Sequence, residues 1–163
     1  MIKHLRSFSF LLITMLSVNY GFAQDNFAYA ITDQQDQKFS WSFLRKLDLK
    51  TGAYSDILLN GTDQHITAYD AASRKQMNSP IIDAHYGQLA NAAFGTGVAA
   101  IALDKKNDRL YYTPMFVDQL RYVDLKTMKV YYLNNEILTG KPLKSSDQGN
   151  VVTRMVIAAD GNG

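Results

Sequence analysis

The chain has 163 residues, 47% of them hydrophobic and 12% aromatic, with 17 Lys and Arg against 15 Asp and Glu. That length suits one domain with an ordinary core, and the composition excludes intrinsic disorder and a collagen-like chain. Zero cysteine excludes a disulfide scaffold and cysteine-based zinc, iron–sulfur or thiolate chemistry.

The N-terminus reads as a secretory signal peptide over residues 1–23. Lys3 and Arg6 make a short basic region, Phe8 to Val18 an apolar run, and Gly21-Phe22-Ala23 puts small residues where signal peptidase reads, so cleavage falls after Ala23. The apolar run is too short to cross roughly 30 Å of hydrocarbon at about 1.5 Å per residue, and no integral span is expected after cleavage. Removing Lys3 and Arg6 leaves 15 basic and 15 acidic residues, a formally neutral chain without the electrostatic footprint of a nucleic-acid partner. A bacterial lipoprotein needs a cysteine at its cleavage site, so the expectation is an exported protein, periplasmic, extracellular or at the cell surface, with no lipid anchor.

Beyond the signal, short strand-like segments alternate with polar turns, an all-β pattern. The segments are Phe27–Thr32, Ser40–Leu49, Ala53–Leu59, Val98–Leu103, Arg109–Met115, Gln119–Leu125, Lys129–Leu133 and Val151–Ala159. Lys50-Thr51-Gly52, Asp104 to Asp108 and Lys126-Thr127 supply the turns.

An internal repeat organises them. Leu44-Arg45-Lys46-Leu47-Asp48-Leu49-Lys50-Thr51 returns as Leu120-Arg121-Tyr122-Val123-Asp124-Leu125-Lys126-Thr127, identical at six of eight positions. A second pair links Ile101-Ala102-Leu103-Asp104 to Ile157-Ala158-Ala159-Asp160. The Asp before Lys-Thr suits a tight turn whose backbone N–H groups its carboxylate accepts. Met128 stands where the first copy has Gly52; if that position needs a positive φ, the second hairpin is expected to use a different turn.

One copy, from Val98 to Leu133, holds four consecutive antiparallel strands in about 36 residues, the size of a β-propeller blade. The segment Tyr122-Val123-Asp124-Leu125-Lys126-Thr127 and its partner resemble the third-to-fourth strand hairpin of the β-propeller repeat superfamily, the YVTN, NHL and gluconolactonase-like repeats. The resemblance implies a partial propeller over 24–163. It comprises a first blade at 27–60, an insertion at 62–97, a second blade at 98–138 and the start of a third at 150–163, about two and a half blades of an incomplete ring. On this reading the chain is the N-terminal portion of a longer protein; the alternative is a complete small sandwich.

The insertion carries Asp63-Gln64-His65 and Asp83-Ala84-His85. In an extended segment, residues two apart point to one side, so Asp63 with His65 and Asp83 with His85 are candidates for a divalent metal site or an acid/base pair. Exposed loop histidines beside loop aspartates are the plainer alternative. No cofactor motif is present. Gly95-Thr96-Gly97 lacks the lysine and spacing of a phosphate loop, and the serine-hydrolase and zinc-protease signatures are absent, so no catalytic residue is assigned. Asn60-Gly61-Thr62 matches a glycosylation acceptor that a turn also explains. Trp41, Tyr54, Tyr111, Tyr112, Tyr122, Tyr131 and Tyr132 suit either a sugar-stacking surface or packing between sheets.

Three functions follow. The first is an exported binding or interaction module for an unknown small molecule or protein. The second is a metal-dependent propeller hydrolase of the gluconolactonase type, and the third a cell-surface or adhesion protein with a downstream sorting domain.

Overall fold

The computed structural model describes residues 25–33, 41–63, 65–78, 82–83, 87–88, 93–94, 97–115, 117, 119–133 and 152–163. The signal-peptide region lies outside them. The described chain is all-β, as its alternation predicts: β1 (Phe27–Thr32), β2 (Phe43–Asp48), β3 (Leu59–Asn60), β4 (Ala68–Asp70), β5 (Ile82–Asp83), β6 (Gly87–Gln88), β7 (Val98–Asp104), β8 (Arg109–Pro114), β9 (Arg121–Asp124) and β10 (Val130–Tyr132). Among the described residues no helix is long and apolar enough to cross a membrane.

The strands form a three-stranded sheet, β1-β2-β3, a five-stranded sheet, β4-β10-β9-β8-β7, and the small pair β5-β6. β7 to β10 run up and down in sequence, and β4 lies parallel to β10 on the outer edge. Alternating side chains of β8, β9 and β10 (Leu110, Tyr112, Val123, Val130 and Tyr132) pack with Phe94 and Ala68 against Leu44 of the first sheet. Tyr29, Ile31, Leu58 and Leu59 close over this core. Each such side chain taken fully from water contributes about 1.5–3 kcal/mol, and Leu44 is the fully buried residue through which the first sheet joins this cluster.

One turn design joins the strands. Asp48 Oδ1 accepts the N–H groups of Lys50 and Thr51, both at 2.8 Å, and Asp124 Oδ1 accepts those of Lys126 and Thr127 at 3.1 and 2.9 Å. The chain then passes through a left-handed residue, Gly52 (φ 72) in one copy and Met128 (φ 55) in the other. The second hairpin therefore does not use a different turn: Met128 adopts the conformation Gly52 has. Its side chain packs against the core, which offsets the strain. The design recurs at Asp70, whose carboxylate accepts Ser73 N–H at 2.7 Å before left-handed Arg74. It recurs again at Asp104, which accepts Asn107 N–H at 3.1 Å before left-handed Asp108.

Three expected segments differ. Ala53–Leu59 is not one strand: it meets β2 at the Leu47–Tyr54 bridge, and regular pairing resumes only at Leu59 and Asn60. Between them the Ser55 hydroxyl accepts Lys46 N–H at 2.9 Å in place of a ladder carbonyl. The stretch 62–97 is not merely irregular. Its Asp70 turn folds 68–77 into a hairpin that covers the outer edge of the second sheet, with Ala68 beside Val130 and Asp70 beside Tyr132. Residues 152–158 of the expected third-blade strand carry no strand structure. They run against the second sheet, where Thr113 Oγ1 donates to the Val152 carbonyl at 2.9 Å.

Candidate functional site

The two ends of the sheets are unlike. At one end lie the tight turns 49–52, 105–108 and 125–128. From the other end leave the connections after Thr32, Asn60, Pro114 and Tyr132, and there too lies the Asp70 turn, whose Ala71 N–H donates to the Tyr132 carbonyl, while the chain after Met77 leaves from the turn end beside Ala68. A backbone hydrogen bond joins the two sheets at the long-connection end, Val98 N–H donating to the Trp41 carbonyl at 3.3 Å. Lys105 pairs with Asp25 at 2.7 Å at the turn end. Scaffolds of this kind carry function on the long connections.

At that end stands Trp41, 47% exposed with φ 30, a left-handed backbone disfavoured for a bulky residue. Gly97, φ 103, turns the chain into β7. Asn60 Oδ1 accepts both the N–H of Thr62, at 3.0 Å, and its hydroxyl, at 2.7 Å, so the glycosylation-like triplet is a side-chain-held turn.

Asp63 and His65 follow directly. Asp63 Oδ1 accepts His65 N–H at 2.8 Å and lies 3.0 Å from His65 Nδ1, so carboxylate and imidazole do meet, through a turn rather than an extended segment. The backbone hydrogen bond and then the imidazole contact hold the Asp63 carboxyl below its usual range. The imidazole projects into solvent with its side chain 96% exposed. Asp83 sits in β5 opposite Gly87, and His85 lies outside the described residues. Among the described residues no group of three His, Asp or Glu side chains converges to hold a metal.

The aromatic residues divide by strand alternation. Tyr112 and Tyr132 face the inter-sheet core, while Tyr111, Tyr122 and Tyr131 stand on the opposite face of the second sheet. Tyr69 extends that row, with centroid spacings of 5.4 Å to Tyr131, 4.8 Å from Tyr131 to Tyr122 and 5.3 Å from Tyr122 to Tyr111. Tyr122 and Tyr131 are stacked at 12°, so ring faces are spent on each other and on cations. Arg74 lies 5.0 Å from the Tyr131 centroid, Arg109 4.8 Å from that of Tyr122, and Lys129 4.7 Å from that of Tyr69. Arg74 Nη1 also donates to the Tyr122 hydroxyl. Such a row offers ring edges rather than free faces for sugar stacking. Tyr69 and Arg74 are the members sequence reasoning missed, and the signal was the Asp-x-x-Ser pattern of Asp70 to Ser73.

On the core side, Arg121 is buried at the long-connection end. Its Nε donates to Gln119 Oε1 at 2.7 Å and its Nη1 to the Ala93 carbonyl at 2.9 Å, and its guanidinium lies 3.9 Å from the Tyr132 centroid. Tyr112 donates to the same carbonyl at 2.7 Å. Burial pushes both phenols up, with Arg121 acting in the opposite direction, so both stay protonated. Neither the family models nor the curated proteins nor the solved structures contain a match to this chain.

Proposed function

We propose that the chain is part of an exported β-propeller that acts as a binding or interaction module, its two sheets being successive blades. The difference between the sheet ends carries this reading: the Asp48, Asp104 and Asp124 turns lie at one end, and at the other the connections after Thr32, Asn60, Pro114 and Tyr132 leave beside exposed Trp41.

The repeat supports the blade assignment. Leu44 corresponds to Leu120 and Lys46 to Tyr122. The Leu44 face of the first sheet is covered by the second sheet. The equivalent Leu120 face of the second is met by residues 152–163, across a groove of about 420 Å³ lined by Tyr111, Leu120, Leu133, Met155 and Ile157. Under the blade assignment, segment 152–160 stands over the second sheet in the place that the repeat gives to the first strand of the next blade. On this reading the tyrosine row is a blade-to-blade surface, and ligands are met at the long-connection end.

The test is a binding screen of the purified chain against soluble polysaccharides, sugar acids, amino acids and divalent cations, read as a rise in melting temperature. Ligand stabilisation should be lost in Trp41→Ala or His65→Ala and kept in Lys126→Ala at the turn end. Stabilisation that depends on Lys126 and ignores the other two would overturn the assignment.

A further inference from the structure

Arg121 is only 2% exposed, yet none of the ion pairs among the described residues involves it. Neutral partners meet its charge: the Gln119 amide oxygen, the Ala93 carbonyl and the Tyr132 ring. Beside it the Tyr132 hydroxyl is buried and has no hydrogen-bond partner among the described residues. Both features are costly, because a buried cation ordinarily has a counter-charge and a buried hydroxyl a partner. Both are relieved by the same kind of group. A cation would be repelled by the guanidinium, whereas an anion accepts from guanidinium N–H and phenol O–H together. Gln119, Arg121, Tyr132 and Ala93 lie where the long connections leave the second sheet, each at most 2% exposed, so a bound anion there is enclosed.

We propose that Arg121 and the Tyr132 hydroxyl form a binding site for a small carboxylate at the long-connection end, between the two sheets. This assignment stands whether or not the sheets are propeller blades.

The experiment compares melting of the purified chain in sodium formate and in sodium chloride at equal ionic strength, from micromolar to tens of millimolar formate. Formate is expected to raise the melting temperature along a saturating curve. Tyr132→Phe removes only the unpartnered oxygen; it should fold normally in chloride and shift the formate midpoint at least about tenfold higher. Arg121→Gln should abolish the dependence; if that variant fails to fold, Tyr132→Phe decides alone. Indistinguishable melting in the two salts, as a buried water in place of an anion would give, overturns the proposal. So does an unchanged formate midpoint in Tyr132→Phe.

Discussion

Gly52 and Met128 hold the same place in two copies of one turn, and Met128 takes a left-handed backbone that only glycine adopts without cost. Two opposing terms meet at Met128: strain of about 1–2 kcal/mol for a side chain at positive φ, and the packing of its thioether chain against the core. Alanine keeps the strain and loses the packing, whereas glycine loses both. Met128→Ala should therefore be less stable than Met128→Gly by about 1 kcal/mol, the reverse of the usual order within a strand. Gly52 has open space around its missing Cβ, so Gly52→Ala should lose about 1 kcal/mol from backbone strain alone. Urea unfolding of the three variants checks both; equal stability of the Met128 pair would remove the strain argument.

Gly61 is constrained differently. A Cβ there would lie 2.0 Å from Phe94 Cδ2 and 2.7 Å from the Ser42 carbonyl oxygen. Phe94 is fully buried with its ring edge-on to Tyr112 at 4.8 Å, so it has nowhere to move. Gly61→Ala should cost about 2–3 kcal/mol through overpacking, while Thr62→Ala beside it costs about 1 kcal/mol from a lost exposed hydrogen bond. Calorimetric melting would show the contrast, and a Gly61→Ala protein as stable as the parent would mean that Phe94 is not locked in place.

What could be read from the residues was what is local. Alternation marked β1, β2 and β7 to β10, and the Asp-Leu-Lys-Thr octapeptide marked two hairpins. The Asp70 turn escaped because it has neither glycine nor the Lys-Thr pair, although Asp70 and Ser73 supply the same two groups as Asp124 and Thr127. β4 escaped for a second reason: its ladder partner is β10, some sixty residues away, and parallel pairing at that separation leaves no periodic trace. The apolar run at 152–158 shows the reverse failure. Its composition suits a strand, but a strand also needs a neighbour with free backbone groups. At the site, Asp63 and His65 were found by spacing, whereas the Arg121 cluster depends on Ala93, a loop residue that no pattern connects to β9.

The turn aspartates set an acid limit. Backbone N–H groups of Thr51 and Lys50 hold the Asp48 carboxyl below its ordinary value of 3.8; at Asp124, burial works against ionisation but the Thr127 and Lys126 hydrogen bonds prevail and the shift is downward. A carboxyl depressed in the folded state stabilises the fold above its unfolded value, and that contribution is lost as pH falls through the folded value. Stability should hold near pH 5 and decline below about pH 4. Asp48→Asn keeps the acceptor oxygen but not the titration, so its urea midpoint should fall less than the parent's between pH 5 and pH 3. A parent and variant with parallel pH profiles would place the acid sensitivity elsewhere.

Arg74 and Tyr122 are 48 residues apart in sequence and joined by a side-chain hydrogen bond. Arg74 belongs to the 68–77 hairpin and Tyr122 to the centre of the second sheet, so this bond and the cation–ring contact to Tyr131 tie the hairpin across the edge that β4 already covers. The pair should be worth about 1 kcal/mol of coupling, from a charged hydrogen bond at a half-buried site. In a double-mutant cycle, Arg74→Ala and Tyr122→Phe should each destabilise, and the double variant should lose about 1 kcal/mol less than the sum of the two. Tyr122→Phe keeps the stacked ring, so it isolates the hydroxyl. Additivity within about 0.3 kcal/mol would mean that β4 pairing alone fastens the hairpin. Coupling would instead identify Arg74 as the side chain that fixes its position over the tyrosine row.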